Sequence, residues 1–285
     1  MSGAIALVTG VTSNVGGAVA SRLAREGWRV RGLVRGAGTS PVGETARGDL
    51  VDRGALLEAA RGAELVAHCA AEFSDDVDAC RRSNIEGVAN VVDAVVAGGC
   101  RRLVHISTIS VYDDAAGPDY DEESPHWSQD GGAYPGSKAE SERIIAAAVG
   151  RGLDAVILRP GLIVSMHPRS RWGPQAIARA AASPDSILPF PELPYVHVDN
   201  LAEAVVLAAR VPGARGRAYN VIDGIGTGSD YLAAVYAAAG RPAPPIPPEA
   251  PVLRFRSQRI RDELGYAPID RWQGFLAEIR SYRRR

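Results

Sequence analysis

The chain has 285 residues, 46% of them hydrophobic and 23% charged, with a formal net charge of -1. That length suits one large α/β domain, or one domain with a small appendage, and the near-neutral charge excludes the strong field that would attract nucleic acid or an anionic membrane. The three cysteines, Cys69, Cys80 and Cys100, fit neither a disulfide framework nor a zinc motif; with no signal-like N-terminus and no apolar run long enough to span a bilayer, the expectation is a cytoplasmic protein with reduced thiols.

Residues 4–8, AIALV, form a short apolar run that ends in Thr9-Gly10, the pattern of a buried strand. The next stretch repeats apolar residues at helical spacing and closes on Gly27, a natural helix stop. Residues 28–35 read as a second strand, 64–71 as a third, 84–99 as a helix and 101–108 as a further strand. A helix over 135–149 and a strand over 153–160, stopped by Pro160, complete the first part. Strand and helix alternate, which predicts a mainly parallel sheet with helices on both faces.

Beyond Pro160 the alternation fails. Prolines and loops surround a helix near 174–182. A strand and helix return from residue 195, with Asp199 read as the N-cap, and 217–223 reads as a strand. Residues 241–251 are proline-dense and predict an extended connector, followed by helices near 256–264 and 270–282. The YRRR end reads as a solvated tail. The implied division is a nucleotide-binding domain from 1–160 with 195–223, and a small substrate-binding region from 161–194 with 224–285.

The turn LVTGVTSNVGG joins the first strand to the first helix. A dinucleotide fold needs glycine there so that backbone can approach a pyrophosphate at the helix N-terminus; a purely steric need for glycine is the competing reading. Gly10 and Gly16 are in place, and Ser13 stands where a middle glycine is usual, with a hydroxyl able to donate to a phosphate. The second strand ends in LVRG, offering Arg35 and no acid. A basic group there suits a 2′-phosphate and favours NADP over NAD, unless Arg35 is only a surface arginine. Asp49, followed by Leu50, is placed to accept from an adenine amino group, or else caps a helix.

The stretch GAYPGSK sets Tyr134 four positions before Lys138, with Pro135 between them. Proline is at home in a first helical turn, so Tyr134 belongs at a helix entrance with Lys138 one turn along the same face.

In order along residues 4–223, VTGVTSNVGG, LVR, GDLVD, LVAHCAA, NIEGVANVVDA, RRLVHISTISVY, YPGSK, LRPG, YVHVDNLAEAV and YNVIDG line up with one family. The chain resembles the extended short-chain dehydrogenase/reductases, in the epimerase/dehydratase-like branch that includes 3β-hydroxysteroid dehydrogenases and flavonoid ketone reductases. The resemblance implies a Rossmann-type doubly wound α/β fold. It implies Tyr134 as acid/base, Lys138 as its partner, Thr108 (or Ser107) as the hydroxyl that binds the substrate oxygen, and Asn84 as a water-mediated proton relay. It also implies cofactor contacts from Gly10, Thr12, Ser13, Asn14, Val15, Arg35, Asp49, Leu50, Ala70, Ala71, Ser107, Tyr134, Lys138, Pro160 and Gly161.

The chemistry agrees. Reducing a ketone needs a hydride at carbon and a proton at oxygen, and a free phenol titrates too high, near pH 10, to trade protons readily. A neighbouring ammonium is expected to bring it down. The histidines His68, His105 and His197 lie in apolar strand contexts and read as core or edge residues rather than metal ligands. The acidic stretches 75–78 and 119–124 read as solvated loops. Trp127 and Trp172 face either the substrate cleft or the core.

Three activities compete. The first is an NADP-dependent reductase of a ketone, or the reverse dehydrogenase, acting on a small, fairly apolar molecule. The second is a nucleotide-sugar epimerase, whose diphosphate Arg169, Arg171 and Arg179 would meet. The third is a non-catalytic dinucleotide-binding regulator, disfavoured because Thr108, Tyr134 and Lys138 are all present. Sugar 4,6-dehydratases of the family carry Asp-Glu after the threonine, where this chain has Ile109 and Ser110. A small-molecule substrate and a monomer or homodimer are expected.

Overall fold

Seven parallel strands form the centre of the molecule, in a computed structural model that describes residues 3–127, 131–183, 187 and 189–282. β1 (Ile5–Thr9) turns into α1 (Asn14–Arg25), and β2 (Arg29–Val34) returns beside β1. β3 (Glu44–Arg47) extends that edge and α2 (Arg53–Ala60) leads back to β4 (Ala63–His68), which pairs with the other side of β1. α3 (Val77–Cys80) runs through a π-helical stretch, Arg81–Glu86, into α4 (Gly87–Ala97) and then β5 (Arg102–Ile106). The short β6 (Asp119–Tyr120) precedes α5 (Ala133–Gly150) and β7 (Ala155–Pro160). β8 (Leu162–Val164), α6 (Pro174–Ala182) and β9 (Glu192–His197) follow, then α7 (Val198–Arg210) and β10 (Ala218–Val221). The chain ends with β11 (Gly224–Thr227), α8 (Gly228–Ala238), β12 (Arg254–Phe255), α9 (Gln258–Leu264) and α10 (Trp272–Ser281).

The large sheet has the order β10-β7-β5-β4-β1-β2-β3. The order reverses at β1, which leaves a crevice above the carboxyl ends of β1 and β4. Successive strand residues point to opposite faces. Ala6 and Val8 accordingly join one core with α1 and α7 through Val19, Leu23, Leu201 and Val205. Leu7 joins the other with α2, α4 and α5 through Leu56, Val91 and Ile145. Covering both faces is what makes these strands read as unbroken apolar runs. A second sheet, β11-β9-β8, is packed by α6, α8 and α10 around a third core containing Ile177, Tyr231, Trp272 and Phe275. No helix among the described residues is long and apolar enough to cross a membrane.

Several expectations are corrected. The strand ending at His68 is the fourth, because β3 intervenes; its sequence ETAR is polar and lies at an exposed edge, where burial imposes no apolar pattern. α7 is capped by His197, whose Nδ1 accepts from Asp199 N at 3.2 Å; Asp199 sits in the first turn, where its charge suits the helix dipole. α2 is capped by Asp52, so Asp49 is not a cap. The acidic stretch 119–124 is not wholly solvated. Glu122 is buried and accepts from Asn220 N at 3.0 Å. The basic tail 283–285 lies outside the described residues.

Candidate active site

The glycine turn forms the floor of the crevice. Gly10 has φ +65°, and a Cβ there would lie 2.9 Å from Ala70 Cα. A Cβ on Gly16 would overlap the Gly10 carbonyl oxygen, so helix and loop pack backbone against backbone. Ser13 takes the role a middle glycine leaves open: it caps α1, its Oγ accepting from Gly16 N at 3.0 Å. The hydroxyl hydrogen remains free to donate.

Gly10, Thr12, Ser13, Arg35, Asp49, Leu50, Ala70 and Ala71 all line one cleft of about 690 Å³. Arg35 is 82% exposed, and its guanidinium lies 3.9 Å from the Asp49 carboxylate, so cation and acid share the outer end of the cleft. Seven of the expected cofactor contacts stand outside its lining: Ser107, Tyr134 and Lys138, at the end of β5 and on α5, and four others. Asn14 Oδ1 accepts from Ser165 Oγ at 2.9 Å, and Val15 packs on the core. Pro160 ends β7, and Gly161 lies under the Pro194 carbonyl at the junction with the small sheet. Arg169 was expected only as a substrate arginine. It reaches across the cleft, and its guanidinium donates to the Thr12 carbonyl at 2.9 Å.

The candidate hydroxyls gather at the end of β5. Thr108 caps a short 3-10 turn, Ile109–Val111, accepting from Ser110 N at 3.1 Å and donating to Ser110 Oγ at 3.2 Å. Ser107 is buried, and its hydroxyl has no partner among the described residues. Tyr134 enters α5 as its second residue, half-buried, with its ring 4.3 Å from that of Phe73. Burial pushes the phenol up to about 12; a hydrogen bond with Thr108 and the charge of Arg171 pull the other way.

Lys138 departs from its expected part. Its ammonium is buried one turn along α5, donating to the Ile106 carbonyl at 2.9 Å and meeting His105 Nε2 at 3.1 Å. Burial lowers it to about 8, against the opposing charge of Glu142. The lysine is not among the groups that act on the phenol. In this structure the ammonium is engaged by Ile106 and His105 rather than by the phenol. The floor beneath is a neutral imidazole pair. His68 bonds Thr9 Oγ1 through Nδ1 at 2.7 Å and stacks on His105 at 5.2 Å between ring centres. Burial drives His68 down to about 3 and His105 well below its usual range. A neutral His105 that accepts from an ammonium at Nε2 carries its own proton on Nδ1.

Asn84 is buried in the π-helical stretch, a frequent setting of functional residues. Its carboxamide accepts from Glu72 N at 2.8 Å and donates to the Glu72 carbonyl at 2.9 Å and to Ser137 Oγ at 3.0 Å. Both its hydrogens and its oxygen are engaged with protein groups, Glu72 and Ser137. Ser137 in turn donates to the Tyr134 carbonyl at 2.8 Å.

An apolar pocket of about 390 Å³ adjoins the hydroxyls, lined by Ser110, Trp127, Pro135, Phe190 and Leu193 among others. Trp127 thus faces the cleft as one expected alternative had it. Trp172 takes the other: it packs on Tyr231, whose hydroxyl donates to its carbonyl at 3.0 Å. Sequence reading also missed Ser110, Phe73 and His105 as members of the site; only the proximity of Ser110 to Thr108 in the chain could have signalled it.

A model of the NAD dependent epimerase/dehydratase family matches residues 6–221. A 2-alkyl-3-oxoalkanoate reductase of Shewanella oneidensis is 30% identical over 243 residues, 75% of this chain and 60% of that one. A 4-hydroxy-2-methyl-3-oxo-4-farnesyl-3,4-dihydroquinoline-1-oxide ketoreductase of Stigmatella aurantiaca is 30% identical over 240 residues, 76% of this chain and 67% of that one. The match thus spans 60% of the length of the first of these relatives. Among solved structures, a short-chain dehydrogenase/reductase superfamily protein of Agrobacterium tumefaciens with bound NAD superposes with a TM-score of 0.79 at 26% identity, covering 97% of this chain and 96% of that one.

Proposed function

Because the chain belongs to the NAD dependent epimerase/dehydratase family, we propose that it is an NADP-dependent oxidoreductase that reduces a ketone of a small, fairly apolar molecule, or runs the reverse oxidation. The observation that carries this reading is the grouping of three hydroxyls, Thr108 bonded to Ser110 at 3.2 Å and Tyr134 beside them on α5, next to the glycine-floored cleft and an apolar pocket. The cleft suits a dinucleotide: its floor is backbone that any Cβ at Gly16 would fill, and Ser13 keeps a donor hydrogen beside it. The exposed Arg35 at the end of β2 supports the 2′-phosphate form. A bound nicotinamide supplies the hydride.

The protein's part is the oxygen. Thr108 and Tyr134 hydrogen-bond the ketone oxygen, and Tyr134 passes its proton to it as the hydride adds to carbon. A phenol raised to about 12 is fully protonated at neutral pH. It stands in the proton-donating form that reduction needs, as a weaker acid than a free phenol, and the alkoxide character developing on the ketone oxygen draws the proton from it. Lys138, anchored on Ile106 and His105, keeps a positive charge beneath the site through neutral pH and holds the entrance of α5 to β5. The two relatives' names specify reduction of an alkyl-bearing oxoalkanoate and of a farnesyl-bearing ketone, which agrees with the pocket lined by Trp127, Phe190 and Leu193.

Nucleotide-sugar epimerisation is the competing reading. Cofactor stoichiometry separates the two: a reductase consumes NADPH mole for mole with product, whereas an epimerase returns its cofactor each cycle. Tyr134→Phe is expected to lower kcat by about 10²–10⁴-fold with NADPH affinity, measured by fluorescence titration, within about twofold of wild type. Turnover at the wild-type rate removes Tyr134 from the chemistry.

A further inference from the structure

The rim of the catalytic cleft carries a cation that the proton transfer does not use. Arg171, on the loop between β8 and α6, sets its guanidinium carbon 4.2 Å from the centre of the Phe73 ring. Phe73 covers Tyr134, ring centre to ring centre, at 4.3 Å. Guanidinium, phenyl and phenol thus follow one another in contact, the two rings tilted at 52°, and the last member is the acid. The charge reaches that far, because Arg171 is one of the groups that draw the phenol's pKa down.

Several other arginines are engaged. Arg159 is paired with Glu142, Arg143 with Glu140, and Arg169 with the Thr12 carbonyl. Among the described residues the Arg171 guanidinium has only the Phe73 ring. Behind it Arg179 donates to the Arg171 carbonyl at 3.1 Å, which brings in a second cation that disfavours the charge on the first. Asp75 is the one carboxylate that acts on Arg171, without forming an ion pair. Among the described residues neither guanidinium forms an ion pair, and the exposed Arg171 stands one aromatic ring away from the reacting phenol. Phe73 itself is 50% exposed, so its ring is held in place loosely.

We propose that Arg171, backed by Arg179, is an anion subsite of this cleft, and that the ketone substrate carries a carboxylate. The proposal rests on the ketone-reduction reading and adds the charge of the substrate to it. A cation–π contact at an exposed ring is weaker than a bidentate guanidinium–carboxylate pair. An arriving carboxylate therefore displaces the Phe73 ring from Arg171, and the same movement uncovers the Tyr134 ring where the carbonyl must come. A single carboxylate fits better than a diphosphate. The charged members of the adjoining apolar pocket are Asp114 and Glu192, which repel a bulky polyanion, whereas an alkyl body meets Phe190, Leu193 and Trp127.

The test compares a medium-chain 3-oxo acid with its methyl ester, following NADPH consumption. Wild type is expected to prefer the acid, and Arg171→Met to lower the acid-to-ester ratio of kcat/KM by roughly 10- to 100-fold. NADPH affinity serves as the control for folding, since Arg171 lies outside the cofactor cleft. The same ratio in both proteins overturns the proposal. Decanoate, which cannot be reduced, is titrated calorimetrically into NADP-saturated protein and should bind more weakly to the variant by a similar factor. If no ketone is reduced but decanoate binding depends on Arg171, the reductase reading falls and the subsite stands. If ketones are reduced with no preference for the acid, the subsite falls alone. Binding of UDP that depends on Arg171, where decanoate binding does not, also overturns the carboxylate assignment.

Discussion

The two sheets hold together by different means. The cores on either face of the seven-stranded sheet are mostly aliphatic, with Val8, Leu23, Val104 and Leu158 on one side and Leu7, Val66, Leu103 and Ile145 on the other. The small sheet packs against a cluster of aromatic rings: Tyr195 lies 4.7 Å from Trp272, and Tyr231 contacts Trp172, Trp272 and Phe275 at 6.0 to 6.5 Å. Aliphatic layers between strands and helices follow the periods of those elements. An aromatic cluster depends on a few large side chains that join segments far apart in the chain. The first arrangement fixes the cofactor floor and the reacting hydroxyls rigidly at strand ends. The second shapes the substrate side, where a few residues decide the form of the cleft.

Gly16→Ala strikes the rigid side hardest. Its new Cβ meets the Gly10 carbonyl, so the loop must open. NADPH affinity is expected to fall at least about 100-fold, because loop backbone and helix N-terminus no longer share one concave surface. Near-wild-type binding by calorimetry would mean that the floor is adaptable and the contrast between the sheets is false. Phe275→Ala tests the aromatic side. It should cost about 3–5 kcal/mol of stability in denaturant titration and raise KM for the substrate while NADPH affinity holds. A parallel loss of NADPH affinity would show that the two cores act as one. Arg35→Ala is a smaller change on an exposed side chain. NADPH binding should weaken by about tenfold and NADH binding hardly at all, as expected for a charge contact at a solvent-exposed site; equal weakening of both discards the preference for NADP. The mildest effect is on pH. Lys138 is depressed to about 8 by burial, so its ammonium is lost as pH rises through that value. kcat/KM for reduction should decline on that alkaline limb, and Lys138→Met should abolish the limb along with most activity. A limb that persists in the variant belongs to another group. Since the unfolded lysine titrates near 10.4, the unfolded chain binds the extra proton between about pH 8 and 10.4. The penalty for burying the charge is full below about 8 and fades as pH rises through that window, so this residue makes the fold more stable there.

What could be read from the residues follows the same division. The strands from Ile5 to Pro160 were legible because burial on both faces makes them continuous apolar runs. β3 was not, because ETAR lies at an open edge. β8 has three residues and β11 two glycines in four, too little pattern for a period to show. Tyr134 and Lys138 announced themselves by spacing on one helix. The partners of Lys138 did not: Ile106 and His105 sit on β5, brought under α5 only by the sheet. Nor did the Phe73–Arg171 contact, which joins two loops that no local rule relates. The glycine turn was legible as a cofactor floor, yet Ser13 turned out to be the helix cap that makes the turn close without a third glycine.

One carboxamide links these levels. Asn84 grips the backbone of Glu72 on both its N–H and its carbonyl, as a neighbouring strand would, and holds Ser137 with its remaining hydrogen. Glu72 immediately precedes the ring that shields the acid; Ser137 immediately precedes the ammonium. The Phe73 ring beside Tyr134 and the helix that carries Lys138 are therefore joined through one side chain, so that a shift of the loop at Glu72 is passed directly to the first turns of α5.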